Sequence, residues 1–340
     1  MNNILQSGRP DDACLLKEEA ESWVQTMNRL GASRTPFLFI IDYEMREPVV
    51  QPLLEVDPVR IMYDAGGMRN YPQARADARG LMLECRPVPY ARYLESFCRV
   101  QKHLRDGDSY LVNLTCRTPV LTDRGLRDIF LGSTALFRLF FDDRFVVFSP
   151  ERFVRIENDR ICTYPMKGTI DASAHGAMET LLADGKELAE HLTIVDLLRN
   201  DLSLVSRRVS VARFRYVTRV ETRRGPILQT SSEIRGELQV NWERRIGDII
   251  ASLLPAGSVT GAPKKKTVEI IRAVEDYSRG FYTGVFGIFD GTRLDSGVMI
   301  RFIERDGDSF FYKSGGGITV YSDPEAEYRE MVQKIYVPIA

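Results

Sequence analysis

Histidine is scarce in this sequence and cysteine is unpaired, which removes several kinds of site from consideration. The three histidines, His103, His175 and His191, are too far apart in the chain to indicate a histidine-based metal site. The five cysteines are scattered and form no C-x-x-C pair, so neither a zinc nor a redox motif is present. We therefore expect reduced thiols in a cytoplasmic protein.

The sequence also lacks an excess of charge of one sign and a long apolar run. The 46 basic and 47 acidic residues give a net charge of −1, so the composition does not indicate the basic surface typical of nucleic-acid-binding proteins. No apolar run approaches the roughly 20 residues that span a bilayer, and the first residues lack the pattern of a signal peptide. We expect neither a nucleic-acid nor a membrane partner. Because no repeat or low-complexity linker divides the 340 residues, we predict a single domain over 1–340.

Apolar patterns predict both strands and helices, grouped in clusters along the chain. The predicted strands are 37–41, 61–64, 110–114, 145–148, 284–289 and 298–303, and a hairpin at 153–163 ends at Lys167-Gly168-Thr169. The predicted helices are 185–198 (with Leu188, Leu192, Val195 and Leu198 on its apolar stripe), 246–254, one after Pro263, and one opened by a capping box at Ser322 and Glu325. Clustering without regular alternation favours an α+β fold.

Two pairs of glutamates are spaced for metal binding. Glu187 and Glu190 are three apart on one predicted helix, and Glu327 and Glu330 are three apart on another, so each pair shares a helical face. Four carboxylates from two helices would suit Mg²⁺, which prefers oxygen ligands and keeps several waters. Two solvated faces, balanced by lysines four residues away, are the alternative.

Three glycine-rich segments, 167–169, 257–264 and 314–318, can direct backbone N–H groups at an anion. The second is not a nucleotide phosphate loop, because the G-x-x-x-x-G-K-[ST] pattern is absent. Ordinary tight turns are the alternative for each.

Lys167 and Glu151 are candidate reactive groups. A partly apolar surrounding could lower the pKa of the Lys167 amine enough for it to act as a nucleophile. Burial could raise the pKa of the Glu151 carboxyl enough for it to donate a proton. Ordinary surface charges are the alternative for both.

Taken in chain order, these segments resemble one family. The strings that carry the resemblance are SPERF at 149–153, PMKGT at 165–169, ELAEH at 187–191, IVDLLRNDL at 194–202, GSVTGAPK at 257–264, YTG at 282–284, IR at 300–301, and GGGI at 315–318 followed by EYRE at 327–330. They are similar to the chorismate-utilising enzymes: anthranilate synthase component I, aminodeoxychorismate synthase component I, and the isochorismate and salicylate synthases. The likeness covers roughly 88–336, which would be the catalytic core, with 1–87 as a shortened N-terminal part.

The resemblance implies a fold and a set of roles. The fold would be α+β, with two stacked, mostly antiparallel sheets, outer helices and a site between the layers. Glu190 and Glu330 would hold Mg²⁺, while Glu187 and Glu327 would hold its waters. The residues expected to bind substrate are Gly168, Thr169, Gln229, Ser258, Thr260, Gly261, Tyr282, Arg301, Gly315, Gly316, Gly317 and Lys334.

The PMKGT string points to one branch of the family. Aminodeoxychorismate synthases carry P-I-K-G-T there, whereas anthranilate synthases usually carry alanine at the position of Lys167. The resemblance thus implies that Lys167 adds to the chorismate ring while Glu151 protonates the leaving hydroxyl. Ammonia would then give 4-amino-4-deoxychorismate, the precursor of 4-aminobenzoate in folate synthesis.

The source of ammonia and the family member stay open at this point. No cysteine is flanked by glycine as in G-x-C-x-G, so we expect ammonia to come from a separate glutaminase partner, or from solution at high pH. Gln229 replaces the histidine usual in the family, and Phe302 replaces a threonine. Anthranilate synthase component I, isochorismate synthase and a non-catalytic chorismate-binding subunit are the alternatives.

Overall fold

The computed structural model describes residues 21–72, 81–220 and 225–339. Their helices are α1 (Trp23–Ala32), α2 (Tyr90–Arg105), α3 (Leu126–Gly132), α4 (Ala177–Ala183), α5 (Gly185–Ser203), α6 (Ile246–Leu253), α7 (Lys264–Val274) and α8 (Pro324–Gln333). Their strands are β1 (Phe37–Ile41), β2 (Val49–Pro52), β3 (Ile61–Ala65), β4 (Met68–Arg69), β5 (Leu83–Cys85), β6 (Leu111–Thr122), β7 (Phe137–Phe141), β8 (Phe145–Ser149), β9 (Arg152–Glu157), β10 (Arg160–Thr163), β11 (Met166–Asp171), β12 (Arg207–Val220), β13 (Ile227–Glu237), β14 (Gly261–Ala262), β15 (Val285–Phe289), β16 (Leu294–Val298), β17 (Phe302–Asp306) and β18 (Ser309–Ile318).

The strands form two antiparallel sheets, each with nine strands among the described residues. Sheet 1 has the order β11-β13-β10-β9-β16-β15-β1-β2, and β12 pairs with the other edge of β13. Sheet 2 has the order β14-β6-β18-β17-β8-β7-β3-β4, with β5 beside β6. Strands from the predicted N-terminal part, such as β1 and β3, are therefore built into both sheets.

The two sheets pack face to face, with helices on their outer sides. Ile40 and Phe286 of sheet 1 meet Leu139 and Phe302 of sheet 2 in a buried apolar cluster. Helices α1, α5 and α6 cover the outer face of sheet 1, and α2, α7 and α8 cover that of sheet 2. Burial of this apolar surface is the main favourable contribution to folding. The predicted α+β fold with two stacked sheets is confirmed.

Two of the places where the chain crosses between the sheets are neighbours. Pro150 and Glu151 connect β8 of sheet 2 to β9 of sheet 1, and residues 299–301 connect β16 of sheet 1 to β17 of sheet 2. The two crossings are hydrogen-bonded together, since the Val298 N–H donates to the Glu151 carbonyl at 3.1 Å and the Phe148 N–H donates to the Arg301 carbonyl at 3.1 Å. Glu151 and Arg301 are thus held at a single junction.

Several local predictions were wrong. The predicted strand 298–303 is broken at Arg301, whose φ of 53° lies in the left-handed region. The hairpin does not end at Lys167, because residues 166–171 form β11 and pair with β13. Gly315, Gly316 and Gly317 belong to β18 and pair with β6, so they are not a loop. Backbone pairing across the sheet overrides the turn preference of glycine at these positions.

Two details of the helices also differ from the predictions. The cap of α8 is Asp323, whose carboxylate accepts from the Ala326 N–H, and Ser322 does not cap the helix. On α5, Leu192 is exposed, while His191, Ile194, Val195 and Leu198 face the core. The apolar stripe is therefore rotated from the one predicted, because it follows the packing against β13.

Candidate active site

Lys167 lies on β11 with its amine directed at an acidic residue of α5. Its Nζ is 2.5 Å from Oε2 of Glu190. A β-bulge follows at Gly168, whose φ of 74° is left-handed. A Cβ added to Gly168 would lie 3.4 Å from Oε2 of Glu187 and 3.2 Å from Leu181, so glycine leaves the space that these side chains occupy. The bulge thus brings Lys167 beside both glutamates of α5.

The expected lowering of the Lys167 pKa is wrong for this arrangement. Burial acts to lower the pKa, but the nearby carboxylates of Glu190, Glu187 and Glu330 outweigh it and raise the pKa above its ordinary value. Lys167 is therefore an ammonium ion here, and it must transfer a proton before it can act as a nucleophile. Glu190 is placed to accept that proton.

Two hydroxyl groups of β13 fix Lys167 and Glu190 relative to each other. The Thr230 hydroxyl donates to the Lys167 carbonyl, and the Ser232 hydroxyl is 2.6 Å from Nε2 of His191, the residue after Glu190. His191 is fully buried, and burial lowers its pKa to about 4, so the ring is neutral. Sequence reasoning missed these contacts; the short run of hydroxyl residues at 230–232 was their only signal.

Glu151 occupies the junction between the sheets, among positive charges. Burial raises the pKa of its carboxyl, as predicted, although the Ser258 hydroxyl, which donates to Oε1 at 2.5 Å, acts in the opposite direction. Arg301, Lys334 and Lys167 are near enough to favour its charged form. The structure therefore brings Glu151 together with the Lys167 cluster and with Arg301.

Two of the remaining carboxylates, Glu327 and Glu330, are held by specific partners. The Ser322 hydroxyl donates to Oε1 of Glu327 at 2.8 Å, and Lys334 pairs with Oε1 of Glu330 at 2.8 Å. Oε2 of Glu187 is buried without a hydrogen-bond partner, and burial raises the pKa of this carboxyl.

These carboxylates are compatible with magnesium held through few protein ligands. Among the described residues, no three His, Cys, Asp or Glu side chains converge as a complete metal cage. Mg²⁺ is commonly held by only one or two carboxylates and several waters, and the unpartnered Glu187 oxygen is a suitable acceptor for such a water. Carboxylate oxygens are of the donor type that Mg²⁺ prefers, and magnesium held by Glu190 and Glu330 stays a prediction.

Arg301 is a largely buried cation surrounded by aromatic hydroxyl groups. Burial acts to lower its pKa, but the phenol groups of Tyr312, Tyr336 and Tyr282 outweigh it and raise the pKa. Within the described residues, no carboxylate forms an ion pair with Arg301, and its Nε is buried without a hydrogen-bond partner. An anionic group of a ligand would satisfy this guanidinium.

The three glycines of β18 present one backbone edge to the same region. The other edge pairs with β6 through Ile318, whereas β17 pairs with β18 only as far as Lys313. In the described residues, the edge beyond Lys313 therefore has no strand partner. A Cβ on Gly316 would lie 3.4 Å from Glu327 and 3.6 Å from Nζ of Lys334, which itself donates to the Gly315 carbonyl at 2.8 Å.

Other predicted substrate-binding residues have different surroundings. The Thr260 hydroxyl is buried and donates to the Ala256 carbonyl at 2.9 Å, which leaves it no proton for a ligand. Gly261 pairs with Val112, and a Cβ there would collide with the Leu111 carbonyl. Thr169 is exposed opposite Gln229 in the β11–β13 pairing. Thr260 and Gly261 thus support the loop, whereas Ser258 reaches Glu151.

The two longest strings of the sequence are joined by an ion pair that sequence reasoning missed. Nζ of Lys264, from GSVTGAPK, is 2.9 Å from Oδ1 of Asp201, from IVDLLRNDL. Gly257 packs against Asp201 and Leu197, so the loop that carries Ser258 is anchored on α5. The presence of an acid in one string and a base in the other was the available signal.

Comparisons with known proteins agree with this architecture. A family profile described as "chorismate binding enzyme" matches residues 53–340. An "Uncharacterized PabA-like protein" of Pasteurella multocida is 49% identical over 94% of this chain and 98% of its own length. The chain is 35% identical to anthranilate synthase component 1 of Archaeoglobus fulgidus, over 70% of this chain and 59% of the relative. It is 32% identical to aminodeoxychorismate synthase component 1 of Bacillus subtilis, over 70% of this chain and 53% of the relative.

Solved structures share the fold. Anthranilate synthase component I of Streptococcus pneumoniae superposes with a TM-score of 0.62 at 26% identity, over 74% of this chain and 58% of that one. The menaquinone-specific isochorismate synthase of Escherichia coli gives a TM-score of 0.69 at 17% identity, over 92% of this chain and 79% of that one. Of the helices described here, none has the length and apolar character that crossing a bilayer requires.

Proposed function

Because this chain belongs to the chorismate binding enzyme family, we propose that it is an aminodeoxychorismate synthase component 1, which converts chorismate and ammonia to 4-amino-4-deoxychorismate. The observation that carries the proposal is the position of the Lys167 amine, beside Glu190 and within the electrostatic reach of Glu187, Glu330 and Glu151. An adduct mechanism gives the amine at this position a direct role as the nucleophile.

The two carboxylates of chorismate have distinct receptors in this proposal. Arg301 is a partly buried cation whose buried Nε has no hydrogen-bond partner, and it would bind the enolpyruvyl carboxylate together with the free edge of Gly315 to Gly317. The ring carboxylate would face the glutamates of α5 and α8. This orientation directs the ring toward Lys167.

The first chemical step would join Lys167 to the substrate. Glu190 accepts a proton from the Lys167 ammonium, and the neutral Nζ forms a bond to ring carbon two. The ring double bonds shift, and the bond from carbon four to its hydroxyl breaks. Glu151, whose pKa burial raises, donates the proton with which that hydroxyl leaves as water.

The second step would introduce the amine. Ammonia attacks carbon four, the double bonds shift back and the bond between Nζ and carbon two breaks. The added nitrogen gives a proton back to Glu151, the electrons of the broken bond return to Lys167, and the product is 4-amino-4-deoxychorismate. The Lys167 amine is thereby regenerated for the next turnover.

Magnesium belongs to the proposal as a resident cofactor. Glu190 and Glu330 would hold it, and Glu187 and Glu327 would orient its waters. When bound, Mg²⁺ would polarise the ring carboxylate of chorismate and would compete with Lys167 for the Glu190 carboxylate. A separate glutaminase subunit would supply ammonia, since no cysteine of the sequence has the flanking glycines of a glutaminase nucleophile.

Anthranilate synthase component I is the second candidate. The Archaeoglobus fulgidus anthranilate synthase component is 35% identical to this chain, and the Bacillus subtilis aminodeoxychorismate synthase component is 32% identical over a similar length. Overall similarity thus does not separate the two reactions. Lys167 favours amination at ring carbon four, because amination with loss of pyruvate does not require an enzyme-bound adduct.

A product assay tests the proposal directly. Purified chain is mixed with chorismate, Mg²⁺ and an ammonium salt at about pH 8.5, where a useful fraction of the salt is free ammonia. Liquid chromatography with mass detection should reveal aminodeoxychorismate. Anthranilate as the main product would replace the proposal with the second candidate.

Lys167→Ala tests the covalent role in the same assay, and its matched control is Lys265→Ala, at an exposed position of α7. We expect the first variant to lose turnover by at least about 100-fold and the second to retain it. Normal turnover by Lys167→Ala would eliminate the adduct.

A further inference from the structure

The segment that follows α8 runs along the second sheet and ends beside α3. Ile335 and Val337 pack into the apolar cluster beneath α3. The Thr134 N–H donates to the Pro338 carbonyl at 2.6 Å, and Ser133 forms an antiparallel bridge with Ile339. These contacts fix the segment at both ends of Tyr336.

Tyr336 points from this segment toward Arg301. Ile335 and Val337 pack against the core on either side of it, whereas the Tyr336 side chain is partly exposed. Its ring centroid is 5.3 Å from Cζ of Arg301, within the range of a cation–π contact. The hydroxyl of Tyr312, which is fully buried on β18, donates to the Tyr336 carbonyl at 3.0 Å.

Arg301 has a guanidinium whose orientation is fixed by few groups. Its backbone is left-handed, with φ of 53°, it lacks an ion-pair partner among the described residues, and its buried Nε has no hydrogen bond. A carboxylate receptor binds bidentately only when the plane of the guanidinium is fixed. Among the described residues, the aromatic ring that forms a cation–π contact with the Arg301 guanidinium is that of Tyr336.

We propose that Tyr336 is a positioning residue that holds the Arg301 guanidinium ready for a substrate carboxylate. This inference rests on the proposed function, because it takes Arg301 as the receptor for a carboxylate of chorismate. The anchored segment after α8 supplies the ring, and Tyr312 fixes the backbone from which the ring projects. The residue would therefore affect substrate binding more than the rate of the chemical steps.

Calorimetric titration of chorismate into the full chain, with Mg²⁺ and without ammonia, tests the inference. Tyr336→Ala should weaken binding about tenfold, the equivalent of about 1.4 kcal/mol. Tyr336→Phe keeps the ring but loses the hydroxyl, which also interacts with Arg301, so its affinity should fall between those of the parent and Tyr336→Ala. In the ammonia-fed assay, KM should rise for Tyr336→Ala while kcat changes little.

A second comparison separates positioning from general stabilisation. Arg301→Lys should remove most of the effect of Tyr336→Ala, since the lysine has no planar group to orient. Tyr321→Ala, at a position 88% exposed, is the matched control and should bind as the parent does. If Tyr336→Ala unfolds, Tyr336→Leu replaces it.

If Tyr336→Ala binds chorismate as tightly as the parent does, the inference is overturned. It is also overturned if Tyr336→Ala weakens binding as much in the Arg301→Lys variant as it does in the parent. An unexpected product from chorismate would overturn the proposed function instead. It would leave this comparison valid, because the titration measures substrate binding and not the reaction.

Discussion

Glu151 combines two surroundings with opposite effects on its acidity. Burial favours the protonated carboxyl, whereas the Ser258 hydroxyl and the neighbouring cations favour the carboxylate. Burial is the larger effect, so the pKa of Glu151 is raised. A group that must give up a proton in catalysis works best when its pKa lies near the working pH.

Ser258→Ala should therefore shift the pH profile of the reaction. The Ser258 hydroxyl stabilises the charged carboxylate, so its removal should raise the Glu151 pKa further. The proton donor would remain protonated to higher pH, and the alkaline limb of kcat/KM, corrected for free ammonia, should move upward. Ser258→Thr keeps a hydroxyl and should preserve the parent profile. A downward shift for Ser258→Ala would contradict this account, and Glu151→Gln should remove the limb.

At the scale of single elements, the bulge in β11 sets the position of Lys167. Gly168 is left-handed at φ 74°, and the space above it is taken by Leu181 and Glu187. A side chain there would meet both the conformational penalty and a steric contact.

Gly168→Ala should lower the free energy of unfolding by more than Gly307→Ala does. The control residue is left-handed too, at φ 58°, but a Cβ there has no neighbour within 4 Å. Gly307→Ala should cost about 1–2 kcal/mol from the backbone alone. Gly168→Ala should cost more and should also reduce turnover, because Lys167 shifts with the bulge. Denaturant titration measures both variants; equal losses of stability would mean that the contacts with Leu181 and Glu187 are readily relieved.

Elements with strong local signals were predictable, and elements defined by distant partners were not. Residues 37–41 form a strand with the predicted bounds, because five consecutive apolar residues suit a buried strand. The helix after Pro263 also formed where proline favours a helix start. By contrast, the pairing of Gly315 to Gly317 with β6 depends on residues about 200 positions away, which no local pattern encodes.

The site shows the same division. Lys167, Glu151 and the glutamates could be proposed as candidates from the sequence because their residue types are chemically conspicuous. The charge state of Lys167 could not be predicted from the sequence. Its raised pKa comes from Glu190, Glu187 and Glu330, which only the folded chain brings together. The sequence also contains no sign of Tyr336, because the fold of the segment after α8 is what places its ring beside Arg301.

At the scale of the whole molecule, a buried ion pair joins three parts of the fold behind the site. Arg279 and Glu275 are 2.6 Å apart, with side chains only 1% exposed. Arg279 also donates to the carbonyls of Val259, in the loop that carries Ser258, and Asn113, in β6. The register of β6 against β18 places Asn113 opposite Gly317.

Arg279→Met should therefore lower the free energy of unfolding by about 3–5 kcal/mol, because it leaves Glu275 buried without its counter-ion. The matched control is Arg329→Ala, which breaks a pair of the same i,i+4 spacing whose side chains are 69% exposed. That change should cost no more than about 0.5 kcal/mol. Denaturant unfolding gives both values. Losses of similar size would show that Arg279 contributes no more than a surface pair.

The two neighbouring crossings between the sheets tie the positions of Glu151 and Arg301 to each other. Glu151 and Arg301 lie on different segments, yet each crossing is bonded to the strand beside the other. An insertion of even a single residue in either segment would carry both groups out of register together. Attempts to re-engineer the proposed site for a bulkier ligand should accordingly leave these two connections at their present length and change the strands and helices around them.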